Sequence, residues 1–209
     1  GAAMRNAAAQ ARRSALTLAA FAATATLLLA GTWLATHQQV AANEAATRAA
    51  LLAQALPAGS FDNNLATSAV PLPAAIAQQL AQRDAANVYL ARRNGQLSGV
   101  VLEAAAPNGY GGRIELLVGI ARDGTVQGVR VVSHRETPGL GDYIDLAVSP
   151  WARQFAGKPA TSRWAVKKDG GDTDYVSGAT ISARAVSAAV ARCSDYYRTA
   201  QARLLQGQP

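Results

Sequence analysis

Two short polar stretches hold the residue types that could do chemistry. The first is DYVSGATIS, Asp174 to Ser182. Ser177 and Thr180 offer hydroxyls, Gly178 lets a backbone come close to a ligand, and a helical pattern begins at Thr180. A helix start presents unpaired N–H groups and the positive end of the dipole. A phosphate placed there is stabilised without any lysine. The same residues also suit an ordinary cap, in which a Ser or Thr oxygen accepts from the first turn at a gain of about 1 kcal/mol. The second stretch is HRETPGLG, His134 to Gly141, which leaves the end of a strand pattern. Pro138 fixes φ, and Gly139 and Gly141 permit a tight turn. That composition serves a plain turn or a backbone that closes on a ligand. Glu136 is either solvated or bonded to a backbone N–H. His134 is a proton-donor candidate, although a lone His at a strand end is commonly structural.

The elements that must position these stretches follow from periodicity. NVYLARR and QLSGVVLEAAA flank Asn94-Gly95, and GRIELLVGIA and TVQGVRVVSH flank Asp123-Gly124. Asn-Gly supplies the two positive φ angles of a type I′ turn, so two hairpins of one kind are expected. Four strands in two hairpins imply an antiparallel sheet. A helical segment is expected near Tyr143 to Phe155, and RWAVKKD, Arg163 to Asp169, reads as a further strand. The last helix is expected from Thr180 to about Leu205. Val186, Val190, Cys193, Tyr197 and Leu204 fall on one stripe at helical spacing and should cover one face of the sheet. Cys193 then reads as a buried structural thiol.

Ahead of this domain, Ser14 to Thr36 carries no charge. As a helix it spans about 34 Å, against a bilayer core of about 30 Å. Arg5, Arg12 and Arg13 precede it without an acid, and Trp33 lies near its far end. The positive-inside bias places residues 1–13 in the cytoplasm and the chain after the span on the other side. A cleaved signal peptide has a shorter apolar region, usually about 7–15 residues. Beyond the span, QQVAANEAATRAALLAQALP favours helix up to Pro57, serving as a stalk or packing on the domain. Residues 58–74 read as linker, and Pro73 as the start of a short helix.

The net charge of +7 raises the question of nucleic acid. The basic residues are scattered and accompany no nucleic-acid motif, so that class is set aside. One cysteine excludes an intrachain disulfide and Cys-Cys metal spacings, and with two distant histidines it argues against a Cys/His metal site.

Together the two stretches resemble the FMN-binding domain family shared by the G subunit of Rnf-type ion-translocating electron transport complexes and the C subunit of the sodium-translocating NADH:quinone reductase. The resemblance covers essentially the whole chain after its N-terminus, and the Rnf-type member is the better match. It implies an α+β fold: a single transmembrane helix (14–36), a stalk and linker (37–74), and a periplasmic FMN-binding domain (75–209) whose antiparallel sheet is packed by the long C-terminal helix. It implies FMN attached covalently as a phosphoester to Thr180, within Ser177, Gly178, Ala179 and Thr180. It further implies that Asp174 is recognised by the flavin transferase that attaches the FMN. Glu136, Thr137, Pro138, Gly139, Leu140 and Gly141 are expected near the flavin. The implied role is an electron relay in a redox-driven translocase of the inner membrane, with other membrane subunits as partners, the lipid bilayer around its span, and no turnover of its own. The family's complex moves electrons between NADH and ferredoxin and couples this to Na⁺ or H⁺ transport. A quinone-reductase C-type subunit, or another membrane-bound flavoprotein of this fold, is the alternative.

Overall fold

The computed structural model describes residues 2–208. Gly1 and Pro209, the outer ends of the expected cytoplasmic tail and FMN-binding domain, lie outside the described residues, as does the side chain of Arg5. The chain divides into two compact units, Gly1–Ala46 and Thr47–Pro209.

The first unit is helical. Helix α1, Ala2–Gln54, whose residues from Thr47 onward belong to the second unit, is rich in alanine, the best helix former. From Ala7 onward it is long and apolar enough to cross a membrane, and its most apolar stretch is not buried against the rest of the chain. Its threonines satisfy their own hydroxyls: Thr17 donates to Arg13 O at 3.0 Å and Thr24 to Ala20 O at 2.9 Å. Hydroxyls bonded back to the preceding turn suit a helix in an apolar surrounding.

The second unit is built on one five-stranded antiparallel sheet whose strands pair in chain order. Strand β1 is Ala69–Pro71, and a short helix α2, Ala74–Gln79, follows it. Then come β2, Asn87–Arg93; β3, Gln96–Gly109; β4, Gly112–Ala121; and β5, Val126–Ser133. Helix α3, Thr180–Leu205, lies against β3 and β4. Alternation along the strands gives each face its own side chains. Val100, Leu102, Leu116 and Val118 share the larger core with Val186, Val190, Cys193, Tyr197 and Leu204 of α3. Each such Val or Leu contributes roughly 1.5–3 kcal/mol by burial. The opposite face holds a smaller cluster, where Val101 and Leu117 meet Leu52 and Leu56 from the last turn of α1 and just beyond it. Gly119 is required there, since a Cβ on it would stand 1.9 Å from Ala55 O. Glu103 is buried on this face and accepts from the Arg48 guanidinium, the Tyr89 hydroxyl and Asn87 N–H.

The β2–β3 turn has the expected form, with φ of +52° at Asn94 and +79° at Gly95. The second turn differs. Only Gly124 has positive φ, at +90°, and Ala121 N donates to Thr125 O across a three-residue loop. Asp123 Oδ1 accepts from Thr125 N at 2.9 Å and so stabilises the ordinary turn region, in place of type I′. Arg163 to Asp169 is not a strand. Its only ladder contact is one bridge from Val166 to Thr173, and Lys167–Asp169 forms a 3-10 turn closed by Gly170. The helical segment near Tyr143 is two 3-10 pieces, Asp142–Ile144 and Pro150–Phe155. Within 58–74, Leu65–Thr67 forms a 3-10 turn and β1 adds an edge strand.

Candidate functional site

Thr180 is the first residue of α3, and the residue that caps the helix is Ala179, whose side chain can accept nothing. No side chain makes a capping bond there, so the cap reading of Ser177 and Thr180 fails. The Thr180 hydroxyl makes no hydrogen bond among the described residues. Gly178, at φ +87°, turns the chain into the helix with a conformation that side chains disfavour.

The approach to the helix is held by main-chain bonds. Tyr143 Oη donates to Ala179 O at 3.0 Å. Asp174 N donates to Gln154 Oε1 at 2.6 Å, and Trp151 Nε1 donates to Asp174 O at 2.7 Å. The Asp174 carboxylate, largely exposed, pairs with Lys167 Nζ at 2.5 Å. Burial pushes the Tyr143 phenol above its ordinary pKa, and the charge of Glu136 adds to that. The hydrogen bond that the Lys167 ammonium donates to Asp174 pushes its pKa up. Tyr143 stacks edge-on with Trp151 and Trp151 with Phe155, both at 5.3 Å between ring centres. That aromatic row is the rigid wall behind the loop.

The second stretch meets the first. Thr137-Pro138-Gly139-Leu140 is a type II turn, with Leu140 N bonded to Thr137 O at 3.1 Å and Gly139 at φ +74°. Glu136 is 4% exposed. Its Oε1 accepts from Gly111 N–H at 3.0 Å, and its Oε2 accepts from the Ser182 hydroxyl. One carboxylate thus ties the β3–β4 turn, the post-β5 loop and the first turn of α3 together. Gly141 makes room for it, because a Cβ there would lie 2.7 Å from Glu136 Oε2. The close backbone approach signalled by the glycines is therefore, at Gly141, an approach to Glu136. His134 Nδ1 accepts from Glu136 N–H at 3.1 Å and supports the loop from behind.

Between the two stretches lies an open cleft of about 110 Å³. Glu136, Thr137, Leu140, Gly141, Gly178 and Ala179 line it. Pro138, Gly139, Ser177, Thr180 and Asp174 are not among its lining residues. Tyr110, Ile181 and Ser182 line it without having been singled out. Their signals were an aromatic set between glycines, Gly109-Tyr110-Gly111, and the two residues just after the threonine.

An uncapped helix start bearing a free hydroxyl, beside an apolar cleft, fits a phosphate-linked aromatic group. Comparison with known proteins bears on this. The FMN-binding domain family matches residues 109–195, and the RnfG N-terminal region matches residues 4–55. The chain is similar to the G subunit of the ion-translocating oxidoreductase complex of Pseudomonas aeruginosa (strain UCBPP-PA14), 46% identical over 92% of this chain and 91% of that protein. The corresponding protein of Vibrio atlanticus is 43% identical over 88% of this chain and 89% of its own length. That of Vibrio cholerae serotype O1 (strain M66-2) is 41% identical over 92% and 93%. The chain belongs to the RnfG family of ion-translocating oxidoreductase complex proteins.

Proposed function

We propose that this chain is a membrane-anchored subunit that carries FMN as a phosphoester on Thr180 and relays electrons within an ion-translocating oxidoreductase complex. The observation that supports this most is the state of Thr180: a hydroxyl free of protein partners, on the first residue of an uncapped helix, next to the cleft. A phosphate on that oxygen faces the open N–H groups and the positive end of α3. Clefts that enclose a ligand run about 300–1,000 Å³. This one is smaller, at about 110 Å³, so it can seat only part of a flavin, and a covalent bond would keep the cofactor from being lost. When bound, FMN supplies the ability to pass one or two electrons. The chain supplies position and electrostatics. The Tyr143 bond to Ala179 O and the Gln154 and Trp151 bonds to Asp174 hold the attachment loop still. Leu140 and Ile181 offer apolar contact, and Asp174 projects its carboxylate outward for a flavin transferase.

The arginines ahead of the apolar run support an orientation with residues 1–13 in the cytoplasm and residues 38–209 in the periplasm. The run carries no charged residue, so the ion path belongs to other subunits. The complex then exchanges electrons between NADH and ferredoxin. Thr180→Asn tests the proposal: helix and fold should survive while in-gel flavin fluorescence and the FMN increment on the Thr180 peptide disappear. Ser177→Ala should keep both, and a periplasm-only reporter fused after Pro209 should be active. Covalent flavin persisting in Thr180→Asn would place the attachment elsewhere and defeat the reading.

A further inference from the structure

Beside the cleft lies a second depression of about 390 Å³, lined by Arg83, Arg113 and Arg135 together with Gly111, Glu115 and Ser133. Three guanidinium groups face one carboxylate. That carboxylate, on Glu115, is already taken by Arg113 Nε. Arg113 is also fixed by Ala81 O at 2.6 Å and Gln82 Oε1 at 2.9 Å, so it forms part of a rigid wall. Arg83 and Arg135 are exposed and make no hydrogen bond or ion pair among the described residues. The excess positive charge of the depression is therefore unneutralised.

Its position gives that charge a use. Gly111 lines the depression, and its N–H holds Glu136 in the wall of the cleft. Arg135 precedes Glu136 in the chain, so neighbouring residues of one loop serve the two hollows. In the unit Thr47–Pro209 the large exposed apolar side chains are Tyr110, Leu140, Val148, Val176, Ile181 and Leu205, and three of these six line the cleft. An apolar rim around a redox site with unpaired cations alongside is the layout of a small, charge-steered docking face.

We propose that Arg83, Arg113 and Arg135 dock a carboxylate-rich surface of the protein that exchanges electrons with the flavin. This rests on the reading that FMN sits at Thr180. Arg83 and Arg135 are the members to substitute, because neither side chain makes a bond of its own among the described residues.

The test uses the intact complex in detergent, with Arg83→Glu and Arg135→Glu combined. Covalent FMN on the Thr180 peptide should equal wild type. Flavin reduction by the physiological donor side, followed by rapid mixing, should slow roughly 10-fold or more at low salt. Added salt should slow the wild type and leave the variant little changed. The pair Arg83→Lys with Arg135→Lys should stay within about 2-fold of wild type, because point charges suffice for steering. Loss of the chain from the complex in the Glu pair but not in the Lys pair supports the proposal equally. Wild-type rate and salt response in the Glu pair overturn it. So does loss of binding to phosphatidylglycerol vesicles with an unchanged rate in detergent, which would make the groove a lipid site. A wild-type Thr180 peptide without FMN would instead sink the underlying reading.

Discussion

Replacing Glu136 by alanine probes the joint that closes the cleft. Glu136 is 4% exposed and Ser182 is fully buried. The substitution removes two hydrogen bonds to a charged group, worth about 1.5–3 kcal/mol each. It also leaves Gly111 N–H and the Ser182 hydroxyl without those partners. Opposing this is the relief of a buried carboxylate that has no cation partner among the described residues. The relief is limited, because the cleft beside it opens to solvent. The net expectation is a loss of about 2 kcal/mol, or roughly 4–8 °C in Tm for a unit of this size. Urea unfolding measures it as a lower midpoint at an unchanged slope. Glu136→Gln keeps the shape and one acceptor and should lose about 1 kcal/mol. A cycle with Ser182→Ala should return a coupling of about 1–2 kcal/mol. A Glu136→Ala change within about 0.5 kcal/mol of wild type, with no coupling to Ser182, would refute the idea that this carboxylate joins the three segments.

Gly111→Ala should be far worse than Gly139→Ala. A Cβ at 111 would stand 1.8 Å from Arg135 O, a backbone atom, while one at 139 meets nothing within 4 Å. The first should cost more than about 3 kcal/mol and the second only the roughly 1 kcal/mol of left-handed strain, and similar urea midpoints for the two would contradict this. Burial pushes the Cys193 thiol from 9.0 up to about 12. It should ignore a disulfide reagent at pH 8 until denaturant is added. Its contribution to stability is full below about pH 9 and is lost as pH climbs towards 12, because the unfolded thiol ionises first. Cys193→Ala should flatten that alkaline limb, and an unaltered limb would show that other groups cause it.

Local signals were legible where one element decides the outcome. The stripe from Val186 to Leu204 is buried as its spacing required, and α3 begins at the residue where the helical pattern begins. Asn94-Gly95 made the turn its two residues dictate. Asp123-Gly124 did not, because an aspartate can bond its own backbone and stay in the ordinary turn region. Arg163 to Asp169 has a strand-like composition but finds no neighbouring strand, and pairing lies outside local preference. The same limit applies to the site. Both motifs stood out by residue type, whereas the bond that Ser182 donates to Glu136 joins positions 46 apart in the chain. Tyr110, 68% exposed, joins the cleft through the β3–β4 turn, where its one local signal is an aromatic ring set between two glycines.

The order of elements along the chain has a kinetic consequence. Strands β2 to β5 pair only with sequence neighbours, so the sheet assembles through short loops that close rapidly. Its larger apolar face then waits for α3, which is synthesised after all five strands. Until that helix docks, Val100, Leu102, Leu116 and Val118 lack their main cover, and the nascent domain is at its most prone to aggregate. Thr180 opens the helix that ends this vulnerable interval. The hydroxyl takes up its place only as the core closes, so an enzyme that recognised the finished loop would act on domains that had completed folding and pass over those that had stalled.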